Sequence, residues 1–262
     1  MRLRSPSARC ALRLRLHSSL ALGGFDGGMP RGHPAGPGPV CVASEARREA
    51  QPSEVRAPGK AGEGRLSLRR LVMLRHGETL GNSSVRFHGA ADVPLSDEGR
   101  RQVQAAARGL RQEVFDLVAA SPLRRSWEAA ALVAGAAPVR IEEGLREIHF
   151  GRWEGLTADE IEQRDPVLYR EWRERRPGFE FPGGEIRAAF RTRVLDAFDR
   201  IAGSGASNAL LVGHKGVIRT IGEHLLGRPL PDGEPELACA VALSRDAAGA
   251  WFPGRHGSDP GP

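Results

Sequence analysis

The chain has 262 residues, of which 40% are hydrophobic, enough for one large domain or two small ones with a sizeable core. Residues 1–70 contain 13 basic and 5 acidic side chains, which leaves 38 − 13 = 25 basic and 32 − 5 = 27 acidic ones from residue 71 onward, a net charge of −2. The overall charge of +6 therefore belongs to the N-terminal segment and does not indicate a nucleic-acid-binding domain. Three dispersed cysteines exclude a disulfide framework, and no apolar run is long enough to span a membrane.

The first 66 residues do not have the composition of a folded domain. Glycine and proline occupy more than half of the positions from 23 to 39, so this segment cannot bury enough surface to offset the entropy of an ordered chain. We predict a disordered extension over residues 1–66; a start site placed too far upstream would give the same pattern. The arginines of residues 1–24 resemble a mitochondrial transit peptide, but a cytoplasmic location is the favoured expectation.

From residue 67 onward, predicted strands alternate with predicted helices. Apolar runs predict strands at 71–74, 115–120, 137–141, 208–212, 238–243 and 250–252. Helical spacing predicts helices at 100–111, with Ser96 as N-cap, and at 123–134, 185–202 and 217–226, with two weaker helices between 158 and 176. The alternation predicts an α/β fold, a three-layer α/β/α sandwich with a mostly parallel central sheet. We expect this fold to form one domain over residues 67–254, followed by a loose C-terminal tail at 255–262.

Polar and charged residues follow three of these strands directly. Arg75 and His76 come after the first strand, residues 121–125 after the second, and residues 213–216 after the later apolar strand. Because the carboxyl ends of parallel strands share one edge, two histidines and two or three arginines should converge there. The positive charges of such a cluster repel one another unless they surround an anion. A phosphoryl group is the expected anion, because a guanidinium group can donate two parallel hydrogen bonds to its oxygens. Further amide donors are expected at predicted helix N-termini after Asn82, Pro122 and His214.

Four motifs occur in order at predicted strand ends and loops. They are Arg75-His76-Gly77-Glu78-Thr79 with Asn82, Gly89, Asp92, Pro94-Leu95 and Gly99; Ser121-Pro122-Leu123-Arg124-Arg125; Leu145-Arg146-Glu147-Ile148 with Gly151 and Trp153-Glu154-Gly155; and Gly213-His214 with Gly216-Val217-Ile218-Arg219. Together they resemble the histidine phosphatase superfamily, with the phosphoglycerate-mutase-like fold, in its smaller phosphatase branch. A lone Arg-His-Gly would be weak evidence, whereas four motifs in the family's order are specific.

The resemblance implies a role for each residue of the expected site. His76 would be the nucleophile that forms a phosphohistidine, and Glu147 would be the general acid and then the general base. The catalytic groups Arg75, Arg125 and His214 would hold the phosphoryl oxygens, with Asn82 as a neutral donor. No metal and no cofactor are expected, because the two histidines lack acidic or cysteine companions at ligand spacing.

Neighbouring residues receive other expectations. Arg124 should point to solvent, Glu142 and Glu143 should be surface charges, and Glu154 should serve loop structure. His88 falls where phosphatases of the family often carry glutamine, and it is kept as a phosphate or substrate contact. Lys215 replaces a usual glycine or alanine after His214, and it either adds charge toward a second anionic group or reaches solvent. Ile186 replaces the serine of a Gly-Glu-Ser motif, which removes a hydroxyl near the pocket.

The resemblance implies a phosphomonoester hydrolase whose partner is a small phosphorylated metabolite. A homodimer is kept open, and neither a nucleic acid nor a membrane is expected as a partner. A phosphoglycerate mutase is the alternative within enzymes, although its acid stands in a different Glu-Arg-x-Tyr-Gly context. A catalytically silent regulatory protein is the other alternative, and the presence of every expected catalytic residue argues against it.

Overall fold

The computed structural model describes residues 67–231 and 233–254, so the predicted disordered extension and loose tail lie outside the described residues. One sheet has the strand order β3-β2-β4-β1-β5-β6. The strands are β1 (Arg70–Arg75), β2 (Leu117–Ala120), β3 (Val139–Ile141), β4 (Asn208–Gly213), β5 (Ala240–Arg245) and β6 (Trp251–Pro253). Strands β1 to β4 run parallel. Strand β5 pairs antiparallel with β1, and β6 pairs antiparallel with β5 at the edge, so the predicted mostly parallel sheet is confirmed.

Within the described residues, six α-helices connect or flank the strands. They are α1 (Asp97–Gly109), α2 (Arg124–Ala134), α3 (Ala158–Arg164), α4 (Pro166–Arg173), α5 (Arg187–Ala202) and α6 (Lys215–Leu226). Ser96 caps α1 as predicted, since its hydroxyl accepts a hydrogen bond of 3.0 Å from the amide of Gly99. Helix α5 begins after Ile186, which provides no side-chain cap. In the part of the chain that the structure describes, no helix combines the length and the apolar character needed to cross a bilayer.

The sheet is covered on both faces. Alternate residues of β1 point to opposite sides, so Leu71 and Met73 join one core and Val72 and Leu74 join the other. Helices α5 and α6 complete the first core, and α1 and α2 complete the second. This arrangement confirms the three-layer α/β/α architecture and explains why β1 and β4 are continuously apolar in sequence.

The helix expected after Asn82 does not form, and that prediction is wrong. Asn82 has a φ of 57°, in the left-handed region, which the first residue of a right-handed helix cannot adopt. Its amide instead donates to the carbonyl of Thr79, and its carbonyl accepts from the amides of Val85 and Arg86. The segment is therefore a tight turn, and it leads into an isolated bridge between Arg86 and Thr157.

The segment 143–155 contains short 3-10 turns at Glu143–Leu145 and Gly151–Trp153, and an aromatic cluster holds it against the core. Trp153 is fully buried, and its indole nitrogen donates to Asp165 at 2.9 Å. Its ring lies 5.7 Å from those of Phe179 and Phe181. Because Trp153 anchors the segment in the core, the residues just before it are fixed beneath the carboxyl edge of the sheet.

Two glycines allow the turn after β1 to pack against the start of α1. A Cβ at Gly77 would lie 2.4 Å from the carbonyl oxygen of Gly99, and one at Gly99 would lie 1.9 Å from the carbonyl oxygen of Glu78. Both contacts are with backbone, which cannot turn aside as a flexible side chain can. The close approach therefore sets the position of the backbone that carries His76.

We predict that Gly99→Ala lowers the free energy of unfolding by about 1–3 kcal/mol, because the added methyl group must displace backbone. Urea denaturation measures the change. Gly109→Ala is the matched control: it lies at the end of the same helix in open space, and it should cause no loss and a gain of up to about 1 kcal/mol. Equal stability of the two variants would contradict the proposed packing.

Candidate active site

Three neighbouring strands, β2, β4 and β1, bring their carboxyl ends to one edge of the sheet. The ring centroids of His76, after β1, and His214, after β4, lie 5.2 Å apart. Arg125, in the first turn of α2, reaches the same point, and its Nε lies 3.2 Å from Nε2 of His76. The convergence expected from the sequence pattern is thus present in the structure.

His76 is buried and held in one orientation. Its Nδ1 lies 2.7 Å from the carbonyl oxygen of Gly77, which can only accept a hydrogen bond, so Nδ1 carries the proton. Burial and then the positive charges of Arg125 and Arg75 hold the pKa of His76 well below its usual value. The ring is therefore neutral, with the lone pair on Nε2, where the Nε–H of Arg125 donates.

His214 is also a buried, neutral imidazole. Its Nε2 lies 2.8 Å from the hydroxyl of Ser121, the residue that follows β2. Burial and then the charge of Arg125 and the neighbouring His76 lower the pKa of His214 well below the ordinary range. Its Nδ1 is buried and has no hydrogen-bond partner among the described residues. This side chain can therefore bond to a ligand without breaking an existing contact at Nδ1.

Arg125 is completely buried, yet its bonds in the described structure are all to uncharged groups. Besides His76, it donates to the carbonyl oxygens of Ala91 at 2.6 Å, Gly89 at 2.6 Å and His88 at 3.1 Å. Burial lowers the pKa of Arg125 to about 10, so the guanidinium stays charged at neutral pH. The loop 88–91 positions this charge without neutralising it.

Arg75 supplies a second positive charge to the cluster. Its Nη1 donates to the carbonyl oxygen of Pro235 at 3.0 Å, and its buried Nε has no hydrogen-bond partner in the described residues. Burial lowers the pKa of Arg75, and the carboxyls of Glu147 and Glu78 oppose that effect. In residues 67–231 and 233–254, neither Arg75 nor Arg125 is bonded to a carboxylate. The cluster therefore has a charge that suits an anion.

Glu147 is the buried carboxyl beside these cations. Its Oε1 accepts a 3.0 Å hydrogen bond from the amide of Ile148, and its Oε2 accepts one of 2.9 Å from the amide of Gly216. Burial raises the pKa of Glu147, while these amides and the arginines limit the rise. A Cβ at position 216 would lie 2.4 Å from Oε1, so a side chain there would displace the carboxyl from this position. Glu147 is suited to hold a proton and to release it.

Arg193, in α5, fixes the backbone that carries Glu147, and the sequence reasoning missed it. It donates to the carbonyl oxygens of Gly144 at 2.9 Å, Arg146 at 2.7 Å and Glu147 at 3.2 Å. It also pairs with both carboxylate oxygens of Glu185, at 2.6 and 2.7 Å. The one signal in the sequence is an arginine on the helix face that also carries Phe190 and Ala197, which are buried.

The remaining predicted contacts lie at the margin of the cluster. Nε2 of His88 lies 2.5 Å from the carbonyl oxygen of Gly81, its Nδ1 is buried without a partner among the described residues, and its charge helps to lower the pKa of His76. Lys215 is half-buried at the first position of α6. Asn82 has an exposed side chain with no hydrogen bond to the described residues, so the structure does not join it to the cluster.

Glu143, Glu154 and Arg124 have the surroundings that the sequence predicted, and Glu142 does not. Glu142 is not a surface charge as predicted: it is buried, and its hydrogen bond to Arg200 lowers its pKa. It ties the end of β3 to α5. Glu143 is exposed, and Arg124 is half-exposed beside Glu128, as predicted. Glu154 accepts from the amides of residues 89, 90 and 150, which confirms its part in loop structure.

The described side chains at this edge of the sheet do not form a metal-binding group. Within residues 67–231 and 233–254, no three His, Cys, Asp or Glu side chains are grouped so that they could hold a metal ion. The donors that meet here are arginine, histidine and one carboxyl, which suit an anionic ligand better than a cation.

The strand order, the layers and the paired histidines at the carboxyl edge define an α/β protein of the phosphoglycerate-mutase-like fold. The sequence profile of the histidine phosphatase superfamily (branch 1) matches residues 71–249. The chain belongs to this family.

Similar proteins agree with this assignment. The chain is 35% identical over 198 residues to glucosyl-3-phosphoglycerate phosphatase of Mycobacterium tuberculosis, covering 71% of this chain and 88% of that protein. The crystal structure of the alpha-ribazole phosphatase from Shigella flexneri matches with a TM-score of 0.62 and 30% identity, over 72% of this chain and 96% of that one. A native structure of the mycobacterial glucosyl-3-phosphoglycerate phosphatase matches with a TM-score of 0.61 and 31% identity, over 73% and 99%. The predicted family, fold class and phosphatase class are confirmed.

We predict that acid destabilises the fold through the two buried histidines. The unfolded chain binds protons on His76 and His214 below about pH 6.5 while the folded chain does not, so the free energy of unfolding falls by up to about 1.4 kcal/mol per pH unit for each histidine. Glu147, with its raised pKa, binds its proton first in the folded state and offsets part of one histidine's effect. Urea denaturation from pH 7.5 to 5 measures the slope.

His76→Gln should reduce this slope, whatever its effect on stability at pH 7.5. His224→Gln is the matched control, because His224 is exposed near the end of α6, and it should leave the slope unchanged. A wild-type free energy of unfolding that stays constant from pH 7.5 to 5 would contradict the buried neutral state of both rings.

Proposed function

We propose that this protein hydrolyses phosphomonoesters of small metabolites through a phosphohistidine on His76, with no metal in the reaction. The observation that carries the proposal is the pair of charged guanidiniums, Arg75 and Arg125, which have no carboxylate partner in the described residues and lie beside a neutral imidazole. A phosphoryl group supplies the missing negative charge and the electrophile that the imidazole can attack. The relatives named as phosphatases of small phosphorylated compounds support this substrate class.

In the first step, Nε2 of His76 attacks phosphorus and the bond from phosphorus to the ester oxygen breaks. Nδ1 keeps its proton on the carbonyl of Gly77, which fixes the reactive tautomer. The Nε–H of Arg125 donates to Nε2 in the described structure, so attack requires this donor to turn to a phosphoryl oxygen. The arginine would thus release the nucleophile as it binds the substrate.

Glu147 serves both halves of the reaction. Its raised pKa lets it hold a proton, which it gives to the departing alkoxide. The resulting carboxylate then takes a proton from water as the water oxygen attacks the phosphohistidine. Inorganic phosphate leaves, Nε2 recovers its lone pair, and Glu147 regains its proton, so the cycle closes without any further reagent.

The phosphoryl oxygens are assigned to four donors. Arg75, Arg125 and His214 are those whose side chains already meet at this edge, and His214 would use its unpartnered Nδ1 as a donor when protonated beside the phosphoryl dianion. Asn82 would join them if the turn that carries its exposed side chain closes over the substrate. The buried Nδ1 of His88, which has no partner among the described residues, would add a fifth contact to the proposed binding set.

We predict that His76→Ala lowers kcat/KM for p-nitrophenyl phosphate in EDTA by more than about 100-fold, because the nucleophile is lost. The wild-type protein should form an acid-labile, alkali-stable phosphoenzyme, and the variant should not. Substrate labelled in its phosphoryl group and quenched during turnover measures both.

His224→Ala is the matched control and should keep both the activity and the phosphoenzyme, since this histidine is exposed at the far end of α6. Unchanged activity in His76→Ala would show that another group attacks phosphorus. Supplying 3-phosphoglycerate with a trace of 2,3-bisphosphoglycerate should release free phosphate; rapid 2-phosphoglycerate without free phosphate would identify a mutase instead.

We predict that Glu147→Gln slows phosphoenzyme formation from glycerol 3-phosphate by about 10²–10⁴-fold and slows it much less from p-nitrophenyl phosphate. The alkoxide needs a proton, whereas p-nitrophenolate leaves without one. With the alkyl substrate, the wild-type rate should fall as pH rises through the raised pKa of Glu147, because the acid form is lost; the variant should lack this limb. Single-turnover kinetics measure the rates.

Glu143→Gln is the matched control for this substitution, since Glu143 is exposed four residues away and should have no effect. An equal loss with both substrates in Glu147→Gln would assign this residue to the structure of the site rather than to proton transfer.

A further inference from the structure

Lys215 is a charged side chain that has no role in the proposed reaction steps. It is one of two lysines in the chain, and the other, Lys60, lies in the N-terminal segment. Its side chain is half-buried at the first position of α6, directly after His214. Within the described residues its ammonium group makes no hydrogen bond and no ion pair. A half-buried ammonium without a partner is costly unless a ligand compensates it.

Two arginines flank this lysine, and both are committed to the same segment of backbone. Arg219, one helical turn further along α6, donates to the carbonyl oxygens of Leu230 at 3.1 Å and Pro231 at 2.9 Å, and it pairs with Glu223. Arg75 donates to Pro235, as described above. The arginines thus fix the segment beside α6, whereas Lys215 has no hydrogen-bond acceptor among the described residues. Burial lowers the pKa of Lys215, Arg75 and Arg219 lower it further, and the carboxyls of Glu236 and Glu147 oppose the shift.

The position of Lys215 relative to Glu147 indicates which part of a substrate it would meet. Its neighbour Gly216 donates its amide to the carboxyl of Glu147 at 2.9 Å. In the proposed reaction, Glu147 gives its proton to the oxygen that joins phosphorus to the rest of the substrate. The carboxyl of Glu147 also acts electrostatically on Lys215. In the proposed reaction, Lys215 would therefore stand on the leaving-group side of the phosphoryl site, where the organic part of the substrate would lie.

We propose that Lys215 binds a second anionic group carried by the leaving group, so that this enzyme selects phosphate esters of anionic metabolites over neutral ones. This inference rests on the proposed function, since it places the leaving group beside Glu147. A carboxylate or a second phosphate has the required chemistry, because both accept hydrogen bonds from an ammonium group. Lys215 would thus determine specificity without taking part in bond breaking.

The test compares substrates that differ in one group. 3-Phosphoglycerate and glycerol 3-phosphate have the same carbon chain and phosphate ester, and only the former carries a carboxylate. For the wild-type protein, kcat/KM for phosphate release should favour 3-phosphoglycerate by about 10–100-fold. Lys215→Met keeps the length of the side chain but removes its charge, and it should reduce this ratio to about 3-fold or less. Lys215→Arg should retain most of the ratio.

Arg228→Met is the matched control, because it removes an exposed positive charge just beyond α6, and it should leave the ratio unchanged. The ratio of 2,3-bisphosphoglycerate to 3-phosphoglycerate tests the second source: if Lys215→Met lowers this ratio alone, the second anion is a phosphate. The inference would be overturned if the wild-type protein preferred neither the carboxylate nor the second phosphate, or if Lys215→Met changed neither of the two ratios. Absence of phosphate release from every substrate, including p-nitrophenyl phosphate, would instead overturn the proposed function.

Discussion

Positive charge without a bonded carboxylate, on Arg75 and Arg125, is the constraint on which the site depends. Burying a guanidinium costs free energy unless its N–H groups find acceptors, and backbone carbonyls provide them here without cancelling the charge. The same charge, together with burial, keeps His76 and His214 neutral, because a third or fourth cation in the cluster would be repelled. The fold thus keeps an uncompensated positive charge at the carboxyl edge of its sheet, and a bound anion would neutralise it.

The carboxyl of Glu147 is positioned by parts of the chain that are far apart in sequence. Gly216 donates to it from the start of α6, and Arg193 holds its backbone from α5. Gly216 also shows what a motif glycine can do without a positive φ: it leaves the space that a Cβ would need to a carboxyl oxygen of Glu147. The acid is therefore coupled to both helices of one layer, and small movements of either helix would change its distance from the phosphoryl site.

The sequence predicted the parts of the fold that local patterns control. Apolar runs located β1 and β4, Ser96 marked the start of α1, and the residues after the strands identified the cluster. It misplaced a helix at Asn82, because a left-handed backbone angle depends on contacts with Thr79 that lie outside any hydrophobic period. Glu142 and Arg193 were missed for a related reason: their partners lie 58 and 46 to 49 residues away, and no local pattern reports a bond across the tertiary structure.

The position of β4 has a consequence for how the protein is made. It lies between β1 and β2 in the sheet, although it follows both by some 90 residues or more in the chain. During synthesis, β1 and β2 leave the ribosome before the strand that separates them, so the strand edges that pair with β4 stay unpaired until β4 emerges. Since His214 follows β4 directly, the anion site closes only when nearly the whole domain has been translated. Nascent chains would therefore gain ligand binding and a complete sheet in the same late event.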